Sequence, residues 1–248
     1  MIETIIDVID RVFFQRGRGT LWLTGLQNTL TITLFALILG IVIGFFIALI
    51  RVTHDSVYKP HILIRIPNLI VRMYVTAVRG IPMMVQLIIM NSIILANSRN
   101  FWQTAIIAFG VNSSAYVSEV FRGGILSVDK GQAEAGRSVG LSFPQTMKKI
   151  IMPQAIKNSL PALGNEFITL LKETSLAGLI GVMDITRAGS VIRGLTYDTT
   201  PLVFVAASYL LLVIFLEFLF RKMEKRLRKS DQRVANVQRR RLRKSDQR

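Results

Sequence analysis

The sequence has no cysteine, so neither a disulfide nor a thiolate metal ligand can contribute, and the redox compartment stays undecided. Histidine is almost as scarce. His54 and His61 are the only two, both expected on one loop and outside any HExxH pair or clustered ligand set, which leaves them as interfacial polar groups and nominates no metal site. No GxxxxGK[ST] phosphate loop occurs, so the chain should not hydrolyse ATP itself. Ser113 and Ser114 have no histidine base nearby in sequence, which makes intramembrane hydrolysis a poor reading and nominates no catalytic residue. A basic leader is missing as well: MIETIIDVID is acidic where a signal peptide would be basic.

What the 248 residues do have is apolar length: 51% are hydrophobic and the mean hydropathy is +0.44. A bilayer crossing takes about 20 apolar residues. Asn28 to Ile50, Gly80 to Ser98, Phe101 to Ser118 and Thr199 to Leu216 carry no charge, and Asn158 to about Leu171 carries only Glu166. The expectation is an all-α integral membrane protein of about five transmembrane helices. Lys and Arg gather in cytoplasmic loops. Arg51, Lys59, Arg65, Arg72 and Arg79 follow the first span, and Arg122, Lys130, Arg137, Lys148, Lys149 and Lys157 follow the third. With the basic tail, these place the N-terminus outside and the C-terminus in the cytoplasm of a bacterial-type cell whose inner membrane the chain crosses several times.

Three regions are expected. Residues 1–27 read as an outer-surface amphipathic helix, with Ile2, Ile5, Ile6, Ile9, Val12 and Phe13 at helical spacing. Residues 28–220 form the membrane domain, including a hydrophilic loop at 129–157. Residues 221–248 form a basic tail in which RLRKSDQR occurs twice, at Arg226 to Arg233 and Arg241 to Arg248. The tail suits an anionic lipid surface or plain solvation. It has no aromatics, which argues against nucleic acid.

The loop at Glu134 to Pro153, EAGRSVGLSFPQTMKKIIMP, is the most patterned stretch. Asp129 suits an N-cap with Gln132 at the third helical position, and Gly140 suits a left-handed helix end. Ser142, Pro144 and Gln145 then read as a second helix start, giving two helices that meet at a corner. Glu134, Ala135 and Gly136, then Gly140, Ile150, Met152 and Pro153 follow a fixed spacing. That spacing closely resembles the Glu-Ala-Ala loop of permease subunits of binding-protein-dependent ABC importers, with departures at Gly136, where the pattern has Ala, and Met152, where it has Leu. The resemblance implies a type I importer-like fold with a coupling helix lying in a groove of a cytoplasmic ATPase.

Charges inside a span are expensive and need a reason. Asn112, Tyr116 and Glu119 share one face of the third span; Asn165, Glu166 and Thr169 form polar stripes on the fourth. These residues are candidates to line a solute pathway, with Gln86 and Asn91 on the second span, although Glu119 can equally pair with Arg122, and Gln86 and Asn91 can equally bond between helices. Gly40 and Gly44 form a GxxxG pair assigned to helix contact. NSSAYVSEVFRGGI, PALGNEFITLLKETSLAG and RGIPMMVQL resemble segments of the family's polar-amino-acid branch.

The resemblance implies no cofactor in this chain, with ATP and Mg bound by the ATPase subunits. The other implied partners are an external solute-binding protein or domain, a second permease chain in a homodimer or homologous heterodimer, the lipid bilayer and the amino-acid substrate. The two acidic residues favour a basic solute such as arginine over glutamine, histidine or glutamate. A passive channel is the alternative, and it leaves the patterned loop unexplained.

Overall fold

A computed structural model describes residues 7–56 and 60–245, with side chains described as far as Leu227. Uncharged, apolar sequence from Asn28 onward lets one helix, α1 (Arg18–Ser56), run for 39 residues. At 1.5 Å per residue this is about 58 Å, longer than a bilayer core. Ahead of it, Asp10–Phe14 form a single helical turn, and Arg16 and Gly17 turn the corner with φ of 53° and 71°.

The N-terminal segment is docked on the bundle. Val12 is buried, Trp22 Nε1 donates to the Val12 carbonyl at 3.1 Å, Phe13 stacks on Trp22 at 5.3 Å, and the Arg18 guanidinium donates to the Arg11 carbonyl. Ile2, Ile5 and Ile6 lie outside the described residues.

The stretch expected as a loop after the first span is mostly helix. His54 sits in the last turn of α1, and His61 caps α2 (Ile62–Gly80), accepting from Leu63 N at 3.4 Å. His54 is therefore in a helix, while His61 stands in the connection, as expected, with extended backbone. The arginines of α2 break any uncharged run, yet Leu63, Ile66, Ile70 and Met73 form an exposed apolar stripe at three- and four-residue steps.

Gly80, Ile81 and Pro82 then bend the chain by 109° into α3 (Met83–Ile89), which continues to Ile94. Met83–Ile94 rises only about 18 Å, too short to cross by itself. The uninterrupted span expected at Gly80 to Ser98 is thus corrected to the second arm of a bent pair. Pro82 is the physical reason, because its ring disfavours helix in the residue before it.

Next come α4 (Phe101–Leu126), α5 (Lys130–Ser138), α6 (Phe143–Thr146), α7 (Met152–Glu173), α8 (Ile185–Thr196) and α9 (Thr200–Ser245). Among the described residues two helices are long and apolar enough to cross alone, at Asp7–Ser56 and Thr200–Leu227, or up to four if each bent pair is one span. The expected third span coincides with α4. This helix has the length to cross but carries buried Asn112, Ser113, Ser114 and Ser118, because it is the centre of the bundle rather than a lipid-facing rod.

Lipid is as apolar as leucine, so close packing of small residues holds such helices together. A Cβ built on Gly40 would lie 2.9 Å from Ser113 Oγ, and one on Gly44 would lie 2.7 Å from the Ser114 carbonyl oxygen. The GxxxG pair is therefore the seam between α1 and α4. Ile32, Ala36, Leu87, Ala108, Phe109 and Leu170 fill the core beside it.

At the end of the bundle away from α5, Asp184 is fully buried and caps α8, accepting from Thr186 N at 2.9 Å and Arg187 N at 3.2 Å. Tyr209 of α9 donates to the same carboxylate at 3.4 Å. Ile185 N donates to Thr29 Oγ1 and Asn28 Nδ2 to the Met183 carbonyl, which stitches this corner to α1.

Candidate functional site

The loop folds from its own capping chemistry. Asp129 Oδ1 accepts from Gly131 N at 2.7 Å to open α5. Gly140 closes it with φ of 81°, a conformation that glycine alone adopts freely, while Leu141 N donates to the Gly136 carbonyl at 3.0 Å and Gly140 N to the Arg137 carbonyl at 2.9 Å. Gln145 Oε1 then accepts from Ser142 N at 2.9 Å, starting α6 with Pro144 in its first turn. The result is the expected corner of two helices, the short α5 and a second arm that runs on from α6 through Met147–Ile151 into α7.

Its two faces differ. Glu134, Ala135, Arg137 and Ser138 are exposed, as is Val139 at 74%. Gly136 is buried against Thr146. Ile150 and Met152 are half-buried and Pro153 is exposed. Met147 and Ile151, with Met152 and Ala155 of α7, pack on Val52 of α1 and Ile125 of α4, so the second arm of the corner runs into α7 and is anchored on α1 and α4. A cavity of about 300 Å³ remains between the corner and those helix ends.

The pathway candidates divide into separate settings. Glu166 Oε1 accepts from Ser113 Oγ at 2.8 Å, between α7 and α4. Asn112 is buried on α4 beside it in sequence. Tyr116 and Glu119 line a cleft of about 640 Å³ with Arg51, Arg72, Arg79 and Arg122.

There Glu119 pairs with Arg51 and accepts from Arg122 Nε at 3.0 Å, with Arg79 at 3.9 Å; the Arg79 guanidinium also lies 5.4 Å from the Tyr116 ring centroid. Asn165 and Thr169 are exposed, and Asn165 shares a different hollow with Glu217 and Phe220 of α9. Gln86 Nε2 donates to the carbonyls of Val78 and Ile81, each at 2.7 Å, so its amide ties the 109° bend together. Asn91 is half-buried on the turns that extend α3.

Sequence reasoning missed three contributors. Arg51 counted only as a loop charge, yet it is the guanidinium nearest Glu119. Ser113 was weighed as a nucleophile, whereas it holds Glu166. Asp184 carried no local signal beyond standing three residues before Arg187, and its Tyr209 partner is remote in sequence.

A bundle of long apolar and bent helices, carrying one capped polar corner anchored on α1 and α4 and continuous with α7, fits a permease-type transport component. The family described as "Binding-protein-dependent transport system inner membrane component" matches residues 63–229. The chain belongs to that family, and is a multi-pass inner-membrane transport subunit rather than an enzyme.

Similar proteins include the arginine transport system permease protein ArtQ of Bacillus subtilis, 35% identical over 84% of this chain and 93% of the relative. The putative glutamine transport system permease protein GlnP of Rickettsia typhi is 35% identical over 82% of this chain and 91% of its own. A crystal structure of an amino acid ABC transporter with histidines has 37% identity and a TM-score of 0.75, covering 84% of this chain and 94% of that one. The inward-facing MetNI methionine ABC transporter shares the fold, with 22% identity, 86% coverage of this chain, 99% of that chain and a TM-score of 0.74.

Proposed function

We propose that this chain forms half of the membrane pathway of an ATP-driven importer of polar amino acids, and that the α5–α6 corner is where a cytoplasmic ATPase grips it. The observation that carries this is the anchored corner itself: an outer face exposed at Glu134, Ala135 and Arg137 to Val139, and a second arm that is continuous with α7 and packed through Met147 and Ile151 on α1 and α4. Closure of two ATPase subunits around ATP and Mg would press on the outer face. The second arm would pass that displacement to the bundle, rocking it between inward and outward access.

The second half of the pathway is a second permease chain, identical or homologous. The corner end is cytoplasmic, the N-terminus lies outside and the basic tail lies inside; with α4 counted beside the two long helices and the two bent pairs, five segments cross. At the opposite end a hollow of about 810 Å³ lined by Gln27, Asn28, Arg99, Asn100 and Phe101 faces the side from which a solute-binding protein would deliver its cargo. Glu166 supplies a half-buried carboxylate, oriented by the fully buried Ser113 hydroxyl and suited to an ammonium or guanidinium group, which favours arginine. The relatives support an amino acid and include both arginine and glutamine systems by name.

The test is reconstitution of the chain with its ATPase and binding protein in vesicles, followed by ATP-dependent uptake of labelled arginine, glutamine, histidine and glutamate. Uptake of arginine above the others is the expected result. Uptake of none, with the complex assembled, would overturn the substrate class, and ATP-independent leak of all would favour a passive channel.

A further inference from the structure

We infer that Gly136 and Thr146 are a size-matched pair that fixes the angle between the two arms of the corner, which makes Thr146 a positioning residue for coupling. The inference rests on the corner being the ATPase docking element. Gly136 is the buried residue of α5. A Cβ built on it would lie 2.7 Å from Thr146 Cγ2, 2.8 Å from Oγ1 and 3.2 Å from Cβ, closer than packed carbon atoms approach. Both branches of the threonine face the glycine, so rotation about χ1 exchanges one clash for the other.

Thr146 is 3% exposed, and its hydroxyl has no hydrogen-bond partner among the described residues. Burying an unbonded hydroxyl is unfavourable, so the side chain is there for its shape. The Gly136 carbonyl also accepts the bond from Leu141 N that ends α5. One residue thus seats the first arm on the second and terminates the first. The pattern that this loop resembles has alanine at position 136. Here threonine occupies the space that a methyl group would need.

Full-length complexes with the ATPase and binding protein decide this, comparing Gly136→Ala, Thr146→Val and the double variant Gly136→Ala/Thr146→Ala with the unaltered chain. The readouts are ATPase co-purification and solute transported per ATP hydrolysed. Gly136→Ala is expected to lower transport per ATP about threefold to tenfold with the ATPase still bound, as overpacking displaces one arm. Thr146→Val keeps the shape and is expected to match the unaltered chain. The double variant is expected to recover to within about twofold, because the methyl then fits.

Unaltered coupling in Gly136→Ala, lost coupling in Thr146→Val, or a double variant no better than the single would overturn the pairing. If Gly136→Ala blocks assembly, recovery of assembly in the double variant supports the pair, and no recovery overturns it. Failure of the docking element itself is separable, since a cysteine at Val139 would then fail to crosslink to the ATPase even with Gly136 and Thr146 intact.

Discussion

The hydroxyl of Ser113 donates to Oε1 of Glu166 across 2.8 Å, joining the middle of α4 to α7, while Gly40 of α1 lies so close to Ser113 that a methyl group would reach its Oγ. Three helices therefore meet at one hydroxyl and one carboxylate. Replacing Glu166 with Gln keeps an acceptor for Ser113 and removes the charge. If the carboxylate meets a cationic solute, arginine uptake should fall about tenfold or more while glutamine uptake falls much less, as expected for the loss of a charge-assisted hydrogen bond. Equal losses would assign Glu166 to structure alone.

The α1–α4 seam predicts a contrast between glycines. Gly44→Val should destabilise the detergent-solubilised protein by about 1–3 kcal/mol, because its Cβ would lie 2.7 Å from the Ser114 carbonyl oxygen and 2.9 Å from Val117. Gly123→Ala, with open space around its Cβ, should be neutral or stabilising by up to about 1 kcal/mol through helix propensity. Thermal unfolding of both variants checks the pair.

Glu119 is shared by Arg51 and Arg122, with Arg79 within reach. Glu119→Gln leaves these guanidiniums without their counter-charge in a half-buried cleft and should cost about 1–3 kcal/mol, less than a fully buried pair because solvent screens part of the interaction. Added salt should partly restore its melting temperature, because screening relieves the repulsion among the guanidiniums left unpaired.

Asp184 is buried where α1, α8 and α9 converge. Asp184→Ala removes an N-cap and should destabilise by about 1–2 kcal/mol, with a further loss from the bond that Tyr209 donates to it, although Tyr209 keeps its bond with Thr186 Oγ1 at 3.3 Å. Asp184→Asn retains an acceptor and should lose less. Their melting temperatures rank the two.

The loop was legible because capping is local: Asp129, Gly140, Ser142 and Gln145 announce helix ends within a few residues, and the structure forms those ends. Gly40 and Gly44 were legible as a seam for the same reason of spacing. The bend was not, because the arginines of α2 broke the apolar run and disguised a helix as a loop, and no hydropathy window sees that Gln86 ties its amide to Val78 and Ile81. The pathway stripes were read as continuous faces. The Glu119–Arg122 pair was legible as one of two readings because it is local, but Arg51 beside Glu119, Ser113 on Glu166 and α9 beside Asn165 were not, since each is a partner far away in sequence.

The chain lacks cysteine, so a single Val139→Cys substitution gives one thiol at a well-exposed point of the corner. Labelling that thiol with a membrane-impermeant maleimide, in sealed vesicles of each orientation with and without the ATPase, tests the central claim most directly. Docking predicts labelling only in inside-out vesicles stripped of the ATPase, and protection once the ATPase is restored. Labelling from the outer face, or labelling unchanged by the ATPase, would contradict it.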